Sequence, residues 1–485
     1  MINVLTADEV RHAERELEKS GVSISFMRMN ASLALAECLL PRAKKDRVKT
    51  AVFCGAGGNG YDGVLAAARL KHDCCDVTAY LVGDRSKFSV EILRYAENEG
   101  LDLRAASEYA GGADIIVDAI FGIGLNRAID GECADLINKL NADNAFKVAV
   151  DIPSGLNADT GEIMGVAFKA DFTVTFSCYK RGMLFGSGKD ICGGIVVEEV
   201  GIPTSSNVRV FDGEDFKPFK RKPTAHKGTS GRVFVIGGCG TMIGAPILAG
   251  SAAHAAYLNG AGTVTVCLPK VHRNAAAARA TMSMMKFLDD TTDGFILFDK
   301  ISLDDIISRA TAIDIGMGMG ETPDLKKIIS YLCDNFGGTL VIDADGLNAI
   351  SGDYLFLKNS KCNVVLTPHV GEFTRLTGKP ANIENAVALA NDTGAIVTLK
   401  SATTIITDGN EVRLNIAGTP AMAKGGTGDV LGGCITALSC AYSAFDAASI
   451  ACYRNGMGAE RAVSAYSQMM LTPRDILRYA EYEEK

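Results

Sequence analysis

Residues 49–63 read K-T-A-V-F-C-G-A-G-G-N-G-Y-D-G. A short apolar run stops at Gly55, and a helical pattern follows the glycines over 64–72. Strand, glycine loop and helix in that order make the first unit of a Rossmann-like sheet in an α/β protein. The glycine spacing is not G-x-G-x-x-G, so the loop does not carry an ordinary dinucleotide fingerprint. Upstream, Thr6 and Glu9 form a T-x-x-E capping box that starts a charged helix, and Gly21 stops it. Downstream, strands are expected at 77–82, 114–120 and 147–152, with helices at 89–99 and 134–140 between them. That alternation predicts a mostly parallel sheet, whose ligands bind at the carboxyl ends of its strands. Three polar clusters fall there: residues 59–63, Asp118 with residues 121–127, and D-I-P-S-G at 151–155. Taken singly, each is also ordinary turn chemistry.

Prolines and lysines without periodicity mark residues 213–225 as a linker, giving expected domains over 1–212 and 226–485. The second half alternates again. Strands are expected at 232–236, 263–268, 312–316, 339–343, 362–367, 396–400 and 404–408, with a glycine loop at 237–244 and a helix over 245–257. No internal repeat relates the two halves. Residues 417–433 read A-G-T-P-A-M-A-K-G-G-T-G-D-V-L-G-G, in which Gly425, Gly426 and Gly428 permit a tight turn. The apolar run that follows predicts a buried helix from about Asp429. Its unpaired N–H groups and positive dipole end form an anion hole of phosphate size. Asp429 at the mouth of that hole is placed to take a proton from a hydroxyl approaching phosphorus. The alternative is a glycine turn that only caps a core helix.

Composition narrows the function. A chain of 485 residues suggests two to four domains at roughly 100–200 residues each, and 47% apolar residues can fill their cores. A net charge of −8 leaves no basic field for a nucleic-acid partner. The 14 cysteines contain no C-x-x-C pair, which points to reduced thiols in a cytosolic enzyme rather than to disulfides or zinc. Residues 233–269 carry no charged side chain, yet glycines, Pro246, His254 and Asn259 interrupt them. A buried strand, loop, helix and strand fit better than a membrane span. The N-terminus shows no secretory signal pattern, so a cytoplasmic location is expected.

Five motifs occur together in the second half: H-K-G-T-S-G-R-V at 226–233, G-A-G-T-V-T-V at 260–266, D-A-D-G-L-N at 343–348, L-T-P-H-V-G-E-F at 366–373 and G-G-T-G-D at 425–429. With them this half resembles the ADP- or ATP-dependent NAD(P)H-hydrate dehydratase family, which has a ribokinase-like α/β fold. The first half, through its glycine loop and D-I-P-S-G, resembles the NAD(P)H-hydrate epimerase family and its Rossmann-like three-layer domain. That family's loop reads G-x-G-N-N-G-G-D-G; here Gly58 replaces the first Asn and Tyr61 a Gly.

The resemblance implies a potassium ion held by Asn59, Asp118 and Ser154. It places the hydrate of the first half on Asn59, Gly60, Tyr61 and Asp62, on the loop of Gly122, Ile123, Gly124, Leu125, Asn126, Arg127 and Ala128, and on Asp151 as acid/base. In the second half it places the hydrate at Ala261, Gly318, His369, Gly371, Glu372 and Asp429. The nucleotide would lie on Lys400, Ser401, Ala402, Thr403 and Thr404, where Ser401 replaces a usual Gly, and on Thr419, Ala423, Lys424, Gly425, Gly426, Thr427 and Gly428. A lone His after a strand is more often a packed or capping residue than a catalyst, but its motif favours His369 as a substrate contact.

The implied activity is repair of NADHX and NADPHX: the R and S hydrates are interconverted, and the S form is dehydrated at the expense of ADP, favoured over ATP, with magnesium. Hydroxide is a poor leaving group, whereas phosphate transferred onto that oxygen leaves readily. The small-molecule substrates, the absence of nucleic-acid and membrane partners, and a homo-oligomer complete this expectation. Two readings compete with it: a phosphotransferase for a vitamin-like alcohol, and a nucleotide-sensing protein whose first half only binds.

Overall fold

The computed structural model describes residues 1–45, 48–73, 75–215, 219, 222–227, 229–255, 261–277 and 283–480. Gly228 and Gly260 of the motifs above, the end of the helix expected at 245–257 and part of the expected linker lie outside them. The chain divides into two compact α/β units, residues 2–206 and residues 207–485 with Met1.

The first unit contains β1 (Ile2–Leu5), β2 (Lys49–Cys54), β3 (Asp76–Leu81), β4 (Asp102–Ala105), β5 (Ile115–Ala119), β6 (Phe146–Val150), β7 (Phe172–Phe176), β8 (Tyr179–Lys180) and β9 (Gly194–Glu198). Seven of these form one sheet in the order β4-β3-β2-β5-β6-β7-β9, every neighbour parallel. β1 pairs in parallel with β8. Alternate residues serve two cores. Val52, Cys54, Val117 and Val148 pack on one face with helices Ile24–Ala43 and Gly58–His72. Ala51, Phe53, Ile116 and Ala149 pack on the other with Ile137 and Leu140 of helix Gly131–Ala142. Two covered faces and a parallel sheet make three layers. After β2 the chain builds outward through β3 and β4, then returns to build the other way from β5. The carboxyl ends of β2 and β5 therefore flank a switch point, where connecting loops diverge and leave a crevice.

The glycine loop is shorter than expected. Its helix begins at Gly58, not at 64, because glycines inside the first turns let the helix lie directly on its neighbours. A Cβ on Gly60 would stand 1.7 Å from the Gly55 carbonyl oxygen, and one on Gly63 would stand 2.5 Å from Ala119 Cβ.

The second unit contains β10 (Val208–Val210), β11 (Arg232–Ile236), β12 (Thr263–Pro269), β13 (Met284–Leu288), β14 (Ala312–Ile315), β15 (Thr339–Ile342), β16 (Asn363–Leu366), β17 (Ile396–Leu399), β18 (Thr404–Thr407) and β19 (Val412–Asn415). They are ordered β13-β12-β11-β14-β15-β16-β17-β18-β19-β10. The run from β13 to β17 is parallel, and β18 is antiparallel to both its neighbours. Pairing of β10 with β19 carries this unit back to residue 207, ahead of the expected domain end at 212. Helices Gly244–Ala255 and Thr427–Leu438 share a core with Val233 and Val235, and helix Ala444–Ala465 joins them over Val341 and Val365. Here too the order reverses, between β11 and β14.

Candidate active sites

In the first unit the switch point opens into a cavity of about 860 Å³. Residues 55–59 and Asp62 line it after β2, Phe121, Gly122, Ile123, Gly124, Leu125, Asn126 and Arg127 after β5, and Asp151 after β6. Asp118 lies fully buried in β5, and burial pushes its carboxyl up to about 6. It accepts from the Ser154 amide at 2.7 Å, the Ser154 hydroxyl at 2.7 Å and the Ile120 amide at 3.1 Å. Ser154 Oγ accepts in turn from the Phe121 amide at 2.8 Å, and Asn59 Nδ2 donates to the Phe121 carbonyl at 3.0 Å. Asn59, Asp118 and Ser154 are thus one hydrogen-bonded group built from the first turn of helix Gly58–His72, from β5 and from the turn after β6.

Asp151 sits at φ 64°, a left-handed conformation uncommon outside glycine. Its Oδ1 is held by the ammonium of Lys180 and accepts from Thr175 Oγ1 at 3.2 Å. Lys180 is 1% exposed and also donates to Thr175 Oγ1 at 2.9 Å and to the Phe176 carbonyl at 3.1 Å. Burial raises the Asp62 carboxyl well above the ordinary range; nearby Arg28 opposes this, while Asp151 and Glu14 add to it. Burial likewise raises Glu14.

Gly60, Tyr61 and Ala128 do not line this cavity. Gly60 is packed on Gly55, and the Tyr61 ring lies 4.9 Å beneath the Arg28 guanidinium. A Cβ on Gly58 would stand 3.3 Å from an Arg28 nitrogen, so Gly58 leaves that arginine its place. Sequence reasoning missed Glu14 and Arg28, whose helices bring them to the cavity wall, and Lys180. A charged residue inside the buried strand β8 was the available signal for Lys180.

The second unit gathers its polar groups at the carboxyl ends of β15, β16 and β17. Lys400 Nζ donates to Asp343 Oδ1 at 2.8 Å. Burial works against the charge on Lys400, but Asp343, Glu372 and Asp429 outweigh it and raise the group. Helix Thr427–Leu438 starts two residues before the expected point, with Gly426 as N-cap at φ 95° and no capping side chain. Its first amides therefore keep free donors of the kind that bind anions. A Cβ on Gly428 would stand 3.4 Å from Lys400 Nζ and 3.5 Å from Asp343 Oδ2, so the helix start abuts the ion pair. Burial pushes Asp429 up to about 6, helped by Asp343 and opposed by Lys400.

His369 is the N-cap of helix Val370–Thr377: its Nδ1 accepts from the amides of Gly371 at 3.0 Å and Glu372 at 3.3 Å. Glu372 Oε2 accepts from the His369 amide at 2.8 Å, closing a capping box. The strand bridge from His369 to Lys400 brings this corner against the pair. Ser401, Ala402, Thr403 and Thr404 form the turn and the start of β18 beyond it. Thr419 caps a short turn, and Thr427 Oγ1 donates back to the carbonyls of Met422 at 3.1 Å and Lys424 at 3.0 Å, closing the loop through Ala423 and Gly425. Lys424 spends its ammonium on the carbonyls of Gln468, Met469 and Leu471. Ala261 is fully buried in the core with Val233 and Ala249, and Gly318 lies beside Met242. Asp343 and Asp314 escaped sequence reasoning as site residues. Asp314 is fully buried in β14, and both its oxygens lack a hydrogen-bond partner among the described residues.

Two α/β units, one with a carboxyl-lined cavity at its switch point and the other with a lysine–carboxylate cluster against an uncapped helix start, define a two-site α/β enzyme. The comparisons make the class particular. Residues 233–481 match the family model described as NAD(P)H-hydrate dehydratase, and residues 25–182 match that of the YjeF-related protein N-terminus. A protein of Archaeoglobus fulgidus named bifunctional NAD(P)H-hydrate repair enzyme Nnr is 31% identical over 94% of this chain and 93% of its own length. The like-named protein of Hyperthermus butylicus is 34% identical over 96% of this chain and 89% of its own, and that of Pyrobaculum aerophilum 33% over 98% of each. The chain belongs to the family of bifunctional NAD(P)H-hydrate repair enzymes. Among the described residues no helix is long and apolar enough to cross a membrane.

Proposed function

We propose that this chain repairs hydrated nicotinamide cofactors: the first unit interconverts the R and S forms of NADHX and NADPHX, and the second dehydrates the S form with ADP or ATP. The observation that carries the second activity is the meeting of Asp429, Lys400 and Asp343 at an uncapped helix start. The amides of residues 426–428 receive the transferred phosphoryl group, and Asp429 takes the proton of the attacking hydroxyl. The O–H bond breaks as the O–P bond forms, and the nucleotide departs with its own oxygen. The ring nitrogen's lone pair then expels phosphate from the adjacent carbon. Loss of a proton from the next carbon restores the reduced nicotinamide.

Among the described residues no three His, Cys, Asp or Glu side chains are grouped to hold a metal. Magnesium would arrive on the nucleotide's phosphates, where it neutralises charge during transfer. In the first unit, Asn59, Asp118 and Ser154 offer only oxygen ligands of the kind a potassium ion takes, and the Phe121 carbonyl lies among them. A cation there would tie the start of helix Gly58–His72 to β5 and to the turn after β6.

A stable phosphoester as product would favour the vitamin-like alcohol kinase. The deciding experiment follows recovery of reduced nicotinamide absorbance from purified S and R hydrates, with ADP and ATP in parallel. Recovery from both epimers, with release of free phosphate, is expected. Recovery from neither would end the proposal.

A further inference from the structure

We propose that Asp62 is the general acid of the first pocket, protonating the departing hydroxyl of the hydrate, while the Lys180-held Asp151 carboxylate takes the proton of the water that returns. This rests on the epimerase reading above. The two carboxyl groups come from different walls of one cavity, Asp62 from helix Gly58–His72 and Asp151 from the end of β6. Their surroundings differ in kind. Asp151 is held by the buried Lys180 ammonium and the Thr175 hydroxyl, so its charge is compensated. Asp62 Oδ1 is sealed from water and has no hydrogen-bond partner among the described residues.

A charge on Asp62 would be costly because the group is buried; Arg28 from helix Ile24–Ala43 offsets part of that cost, and Asp151 and Glu14 from helix Ala7–Lys19 add to it. Arg28 is drawn over the Tyr61 ring and makes no salt bridge to Asp62 within the described residues. One carboxyl group buried without a hydrogen-bond partner for its Oδ1 among the described residues, and one paired with an ammonium in the same pocket, make an acid and a base.

The chemistry balances without a co-reactant. The carbon–oxygen bond beside the ring nitrogen breaks with its electrons on oxygen, the nitrogen lone pair forms the iminium, and the Asp62 proton completes a water molecule. Water then adds to the other face of the same carbon, the iminium electrons return to nitrogen, and the surplus proton passes to Asp151. Exchange with solvent resets both groups.

The test uses the full-length chain with potassium present. With Asp62→Asn, kcat for epimerisation falls about 100-fold or more while KM stays within about twofold. Wild-type kcat falls as pH rises through the Asp62 titration, because the protonated acid is required, and Asp62→Asn loses that limb. In oxygen-18 water, wild-type epimerisation carries the label into the hydrate hydroxyl at the same rate as the configuration changes. An Asp62→Asn variant with raised KM and unchanged kcat would overturn the proposal, as would epimerisation by the wild type without label uptake. A wild-type chain that fails to epimerise the hydrate would instead remove the reading beneath it.

Discussion

The two sites both lie at the carboxyl ends of parallel strands yet solve different problems. In the first, the chemistry rests on carboxyl groups whose charges are managed by a lysine sealed in the core. In the second, the lysine is partly exposed beside Asp343 and the free amides of a helix start add to the positive potential. A hydroxyl that only leaves and returns needs an acid and a base. A phosphoryl group needs a cradle as well, and the glycines at 425, 426 and 428 keep side chains out of it.

That contrast can be broken most severely at Lys180. Its pair with Asp151 is nearly buried, with side chains 2% and 15% exposed, and removing one partner of such a pair costs about 3–5 kcal/mol. Lys180→Met is therefore expected to lower the unfolding temperature of the first unit and to abolish epimerisation, as thermal scans and the epimer assay would read. An unchanged transition would show that the pair does not hold the pocket.

Lys400 should behave differently, because its side chain is 20% exposed and it balances three carboxylates. Asp429 must be ionised to act as base, so dehydration is expected to rise with pH through about 6 and then level off. Lys400 lowers the Asp429 pKa, so Lys400→Met should move that midpoint upward, measured as kcat/KM against pH. A midpoint that stays in place would place Lys400 outside the electrostatics of the base.

The smallest effect is expected at Ala344, which follows Asp343 with φ 49° and ψ −119°, a region that suits glycine. Ala344→Gly should stabilise the second unit by about 1 kcal/mol, less the backbone entropy that glycine adds. Denaturant unfolding of this variant beside the wild type would read the difference.

Much of this was legible in the chain because local chemistry marked it. The capping box at Thr6 and Glu9, β2 with its glycine loop, and the glycine turn before Asp429 each declare themselves within a few residues. Helix Ile24–Ala43 did not. Its buried Met27, Ala31, Leu35 and Leu39 are accompanied by exposed Phe26, Met29 and Leu33, which blur the apolar stripe that marks a helix. The edge strands β4 and β13 are short or half-exposed and carry little pattern. His369 was readable both as a cap and as a substrate contact; its Nδ1 serves the cap. Lys180 and Asp314 could not be placed in a site from sequence, since only the folded sheets show what lies across from them.

The account turns on Asp429, and the most direct measurement assays both activities on the full-length Asp429→Asn variant. Nucleotide-driven dehydration should fall by about 10²–10⁴-fold while epimer interconversion keeps its wild-type rate. Dehydration at the wild-type rate would contradict the account, and equal loss of both activities would contradict the separation of the two sites.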